Sequence, residues 1–158
     1  MKNITLKNGQ ANGNNGGGVY VDGTLVMEDS STITGCHANK GEGVYVNGTF
    51  KMSGSAKVDT SNDVYLASGK SIDVTGALAN NPAAQITPDS YTDGRVLATG
   101  ASAEKTNFTV TPKNGNEHWR YKKKGNEIKF VAATLTVTFV EIKCVAEHDA
   151  GPSAEYYW

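Results

Sequence analysis

Carboxylates are the first residues in this 158-residue chain to test for chemistry. Cleaving a glycoside needs two carboxyl groups about 5–9.5 Å apart. Glu28 and Asp29 are adjacent in a turn, and Asp59, Asp63 and Asp73 fall in successive turns and strands. No Asp-Asp pair occurs among them, and Arg95 is the only arginine before residue 120. Solvated surface is the default reading, and no catalytic residue is assigned. The segment Gly-Glu-Gly-Val-Tyr-Val (41–46) has the glycines of a phosphate loop. Such a loop needs a helix after it, a further glycine where Val46 stands, or a Gly-Lys-Ser/Thr. The segment has none of these, so its glycines read as turns. Cys36 and His37 are neighbours that strand alternation sends to opposite faces. Cys144 and His148 lack a second ligand pair at zinc spacing. Glu147 and Asp149 supply too few oxygens for calcium. No metal and no cofactor is expected.

Two groups remain as binding candidates. Tyr20, Tyr45 and Tyr65 recur at one place in three related segments and point opposite to the flanking valines. An outward aromatic ladder either covers the sheet or meets a sugar face or a partner protein. Covering the sheet is the favoured reading. The second group is Trp119, Arg120 and Lys122, with Tyr121, Lys123 and Lys124. Aromatics interleaved with cations suit an anionic glycan or nucleic acid. Lysines that keep an edge strand soluble are the favoured reading. The flanking segments are neutral or acidic, so no nucleic acid is expected.

The elements that must position these residues come from a repeat. Val19, Val44 and Val64 correspond, at spacings of 25 and 20. Gly-Gly-Gly-Val-Tyr-Val-Asp-Gly-Thr-Leu-Val-Met (16–27) matches 41–52 closely and 63–74 more loosely. Leu6–Asn12 parallels Ile33–Asn39, with a shortened echo at 58–62. Short strands repeating at 20–25 residues predict a stacked solenoid. Period-2 alternation predicts three strands per coil. It sends Val19, Val21, Leu25, Met27 and Ile33 inward, with Val44, Val46, Phe50, Met52 and Val58 in the next coil. Gly23, Gly48 and Gly69 are expected at corners with positive φ, and Asn12 and Asn39 as a stacked amide ladder.

The pattern resembles the right-handed parallel β-helix repeats of large bacterial surface proteins: polymorphic outer-membrane proteins, autotransporter adhesins and surface lipoproteins. The resemblance covers roughly residues 1–112. It implies an all-β fold and a stalk, adhesin or displayed scaffold on the cell surface, in the outer membrane or secreted. Its partner would be a host or neighbouring-cell protein or glycan. β-Helices also host polysaccharide lyases and glycosidases, so a carbohydrate-active enzyme or carbohydrate-binding module is the alternative.

The chain divides into β-helix coils (1–100), a capping strand and hairpin (101–130) and the start of a β-sandwich-like domain (131–158). These parts carry net charges of -2, +4 and -3. Residues 83–100 are expected to form irregular final coils interrupted by Pro82, Pro88 and Gly94. The hairpin is expected to turn at Lys124-Gly125, pairing Trp119 with Phe130 and Tyr121 with Ile128. Trp119 then seals the solenoid end. No run of 18 apolar residues exists, so no membrane-spanning helix is expected. The cysteines are expected to be reduced. The chain starts inside a repeat and ends in a strand-like run, and reads as a piece of a longer protein.

Overall fold

A computed structural model describes residues 1–103, 108–115 and 119–131. The expected sandwich-like segment, with Cys144, Glu147, His148 and Asp149, lies outside the described residues beyond Val131. The described chain is a parallel β-solenoid of about four turns.

The first coil carries β1 (Thr5–Lys7), β2 (Gln10–Asn15), β3 (Val19–Val21) and β4 (Thr24–Met27). The second repeats it as β5 (Thr32–Thr34), β6 (His37–Lys40), β7 (Val44–Val46) and β8 (Thr49–Gly54). The third has only β9 (Lys57–Val58), β10 (Asp63–Leu66) and β11 (Ile72–Leu78). The fourth contributes β12 (Gln85–Pro88) and β13 (Val96–Thr99), and β14 (Thr109–Val110) follows on β12. Full coils therefore have four strands where three were expected. The extra one, β6, has the sequence His-Ala-Asn-Lys, which lacks the β-branched alternation that marks a strand.

Stacking follows the sequence register. Val19, Val44 and Val64 pair in parallel, as do Leu25, Phe50 and Ile72, and Leu6, Ile33 and Val58. Of the side chains expected inward, all are buried except Val19 and Leu25. These two lie in the first coil and are half-buried. Each fully buried Val, Leu, Ile, Phe or Met contributes about 1.5–3 kcal/mol relative to exposure. Stacked rows of such residues make neighbouring coils interdependent.

The fourth coil is more regular than expected. Pro88 is the last residue of β12, where it pairs with Leu66 and is buried. Residues of a parallel strand bond alternately to either neighbour. The Asp89 N–H reaches Leu66 and the Ile86 carbonyl accepts from Thr111. Pro88, which has no N–H, therefore faces the β14 side, where only a two-residue strand follows.

A hairpin, β15 (Tyr121–Lys124) and β16 (Glu127–Phe130), is laid antiparallel on β13. Its register corrects the expectation. Tyr121 pairs with Phe130 and Lys124 with Glu127, so the turn is Gly125-Asn126. Gly125 takes φ 55°, the left-handed first position that a type II′ turn assigns to glycine. The slip changes partners without changing faces, so Phe130 and Ile128 still point to the core. Trp119 stands outside the strand and packs 5.4 Å from Phe130 and 6.4 Å from Tyr91. With Tyr121 it is partly buried against the core.

Two other expectations are corrected. Gly23 and Gly48 do not have positive φ; of the three corner glycines only Gly69 does. Gly48 is required for space instead: a Cβ there would lie 2.1 Å from the Gly23 carbonyl oxygen in the coil below. Asn12 and Asn39 form no amide ladder. The strands shift register between Ala11 and Asn15, and the Asn39 amide donates to the Gly13 carbonyl at 3.0 Å.

Candidate functional site

Tyr20, Tyr45 and Tyr65 occupy the outward positions of β3, β7 and β10, in direct register. Alternation puts the valine and leucine neighbours in the core and leaves the rings outside. Ring centroids are 5.0 Å apart for Tyr20–Tyr45 and 5.1 Å for Tyr45–Tyr65, with planes within 7° and 8° of parallel. The strand spacing of about 4.8 Å brings them into stacking range. Tyr20 is 51 % exposed, whereas Tyr45 and Tyr65 are half-buried. The stacking uses both faces of Tyr45, so its ring edge and hydroxyl meet solvent and not its face. A sugar can lie flat only at the ends of the row. Tyr20 is open at one end, and the Lys40 ammonium lies over Tyr65, 5.1 Å from its centroid, at the other.

The row continues past the tyrosines. Thr87 is in register with Tyr65, and the Thr87 and Thr111 hydroxyls are 2.7 Å apart. Beside this junction is an open cleft of about 320 Å³ lined by Lys40, Glu42, Asp63, Gln85, Thr87 and Thr111, among others. Its origin is the short third coil. From Val44 to Val64 the chain takes 20 residues where the preceding coil takes 25, and among the described residues nothing pairs with β6 on that side. The second coil therefore overhangs the third. Asn62 repairs the backbone at the step. Its Nδ2 donates to the Cys36 carbonyl at 2.7 Å, and its Oδ1 accepts the Cys36 N–H at 3.1 Å. The amide, 2 % exposed, stands in for the missing strand. Asp63 accepts the Glu42 N–H at 2.6 Å and holds the corner above. Of these six lining residues only Asp63 was singled out from the sequence. The spacing drop from 25 to 20 was the available signal.

The remaining candidates do not join this surface. Arg120 and Lys122 are exposed on and beside β15, the outer strand of the six-stranded sheet. Lys122 sits opposite Lys129, and like charges facing each other are unfavourable. That placement suits edge-strand lysines that discourage strand pairing. Trp119 packs on Phe130 against the core and not on a surface with Arg120 and Lys122. Arg95 is structural: it pairs with Asp89 at 3.0 Å and donates to the carbonyls of Lys70, Ala67 and Val96. Asp73 pairs with Lys51 at 3.8 Å, and Lys2 with Asp29 at 3.3 Å. Asp59 accepts from the Ser61 N–H and from Lys57, and these bonds hold its carboxyl below the usual range. Gly69-Lys70-Ser71 does contain a Gly-Lys-Ser, but Val64 stands where a phosphate loop needs its first glycine. Lys70 there closes a turn onto the Ala67 carbonyl.

Among the described residues no three His, Cys, Asp or Glu side chains gather as metal ligands. Cys36 is a free, buried thiol, and His37 is exposed on the opposite face. No helix of the described chain is long and apolar enough to cross a membrane. No family model matches this sequence, and neither a curated protein nor a solved structure matches it.

Proposed function

We propose that this chain is a non-enzymatic display segment of a bacterial cell-surface or secreted repeat protein, whose solenoid presents one sheet face for contact with a protein or glycan. The observation that carries the reading is the in-register tyrosine row on an outward sheet face. Three tyrosines at equivalent outward positions exceed what covering the core requires, since the valines beneath already do that. A stacked row also loses little side-chain freedom on binding, because each ring is already held by its neighbours. The bacterial-surface assignment rests on the resemblance of the repeat. A carbohydrate-active enzyme remains the runner-up, because carboxylates and an ammonium meet in the cleft beside the row.

The test is solid-phase adhesion. Immobilised protein is exposed to a glycan array and to a panel of extracellular-matrix proteins. Retention of at least one probe, reduced by the double substitution Tyr20→Ser and Tyr45→Ser, is the expected result. Release of reducing or unsaturated sugar from a polysaccharide, abolished by Asp63→Asn, would replace this reading with the enzymatic one.

A further inference from the structure

We infer that the step left by the short third coil is a subsite for one unit of a neutral hexose glycan, next to the end of the tyrosine row. The inference rests on the display reading and specifies its ligand. The cleft's volume of about 320 Å³ lies at the lower end of small-molecule sites, the size class of a single ring with part of the next. It is open along the sheet, so a chain can pass across it without being threaded.

The lining sets the chemistry. Lys40 donates, and Glu42 and Asp63 accept. Gln85 and the hydroxyls of Thr87 and Thr111 do both. A hydroxyl-rich ring needs that mixture of donors and acceptors in one place. Two carboxylates against one ammonium make the cleft locally acidic, which disfavours uronates, sulfates and phosphates. The polar wall is organised before any ligand arrives. Gln85 donates to Thr111 at 3.0 Å, the Thr111 and Thr87 hydroxyls are 2.7 Å apart, and Tyr91 donates to the Thr111 carbonyl at 2.6 Å. Lys40 is drawn to the Tyr65 ring, and Asp63 is anchored by the Glu42 N–H. The Glu42 carboxylate accepts no hydrogen bond from the described residues, so it is available to a hydroxyl. Fixed groups of this kind lower the ordering cost of binding.

The test uses cellobiose, chitobiose and maltose as neutral probes and a glucuronate-containing disaccharide as the acidic one. Amide shifts of the labelled protein are followed by NMR titration. The expected result is saturable shifts at Lys40, Glu42 and Asp63 with at least one neutral probe, with Kd on the order of 1 mM. Ala38→Trp, which fills the cleft from its second-coil wall, and Glu42→Gln should each weaken binding about tenfold, with an unchanged far-UV spectrum. Lys7→Ser, exposed on β1 of the first coil, should leave this Kd unchanged. The inference is overturned by the absence of shifts with every neutral probe, by tighter binding of the glucuronate, or by binding that survives both cleft variants. If solid-phase adhesion then still depends on Tyr20 and Tyr45, the display reading stands without this subsite. If adhesion is absent while the cleft binds sugar, the display reading fails by itself.

Discussion

Replacing Asn62 by alanine tests how the solenoid tolerates a missing strand. Asn62 is buried, and its amide makes two hydrogen bonds to the Cys36 peptide, at 2.7 and 3.1 Å. Alanine removes both partners and leaves a buried carbonyl and N–H without them. An orphaned buried group costs about 1–3 kcal/mol, so Asn62→Ala should lose about 2–6 kcal/mol. Urea unfolding followed by far-UV circular dichroism reads this as a lower midpoint at constant slope. Asn62→Asp sharpens the test. Ionised, the new carboxylate can accept the Cys36 N–H but faces the Cys36 carbonyl with no proton to give. Burial then raises its pKa in the folded state above the unfolded value near 4. A raised pKa contributes stability that is fully present below the unfolded value and is lost as pH rises through the folded one. Asn62→Asp should therefore gain stability relative to Asn62→Ala as pH falls from 7 to about 4. A loss below about 1 kcal/mol in Asn62→Ala, or no pH-dependent divergence between the two variants, would refute the claim that this amide replaces a strand.

Three further outcomes follow from the same register. Phe50→Ala, fully buried between Leu25 and Ile72, should cost about 3–5 kcal/mol by urea unfolding; Tyr45→Ala, outward between two rings, should cost only about 1–3 kcal/mol. Gly48→Ala should destabilise by on the order of 3 kcal/mol, because its Cβ would meet the Gly23 carbonyl, whereas Gly23→Ala, facing open space, should stay within about 0.5 kcal/mol in the same assay. Asp59, whose folded-state carboxyl is held low by Ser61 and Lys57, contributes stability that is present above the unfolded value and lost as pH falls through the folded one, so Asp59→Asn should flatten the acid side of the stability–pH curve.

The repeat was legible because the residues that fill the core alternate strictly. Val-Tyr-Val predicted both the stacked valines and the outward tyrosines, and the pairing of Val19 with Val44 and Val64 follows from alignment alone. What stayed hidden depended on polar atoms and on closeness between coils. Gly23 and Gly48 look equivalent in the sequence, yet only Gly48 abuts a carbonyl of the preceding coil. β6 escaped notice because its sequence carries no apolar alternation; its partner β2 holds it in place. The hairpin slipped because Lys124-Gly125 and Gly125-Asn126 are both acceptable turns, and core packing of Phe130 and Ile128 permits either. The cleft left no residue motif because it arises from a deletion, five fewer residues between Val44 and Val64 than between Val19 and Val44, and that spacing was its one trace. Its lining comes from the second, third and fourth coils and beyond, which no local motif joins.

The most direct test of the account is the tyrosine row itself. Through-space proton contacts are measured on protein with the Tyr20, Tyr45 and Tyr65 rings selectively labelled. The account predicts that the Tyr45 ring contacts both Tyr20 and Tyr65, that Tyr20 and Tyr65 do not contact each other, and that the amides of Val19, Val44 and Val64 show parallel cross-strand contacts. Antiparallel Hα–Hα contacts between these strands, or a Tyr45 ring in contact with Phe50 or Val44 of the core in place of its two neighbours, would contradict it.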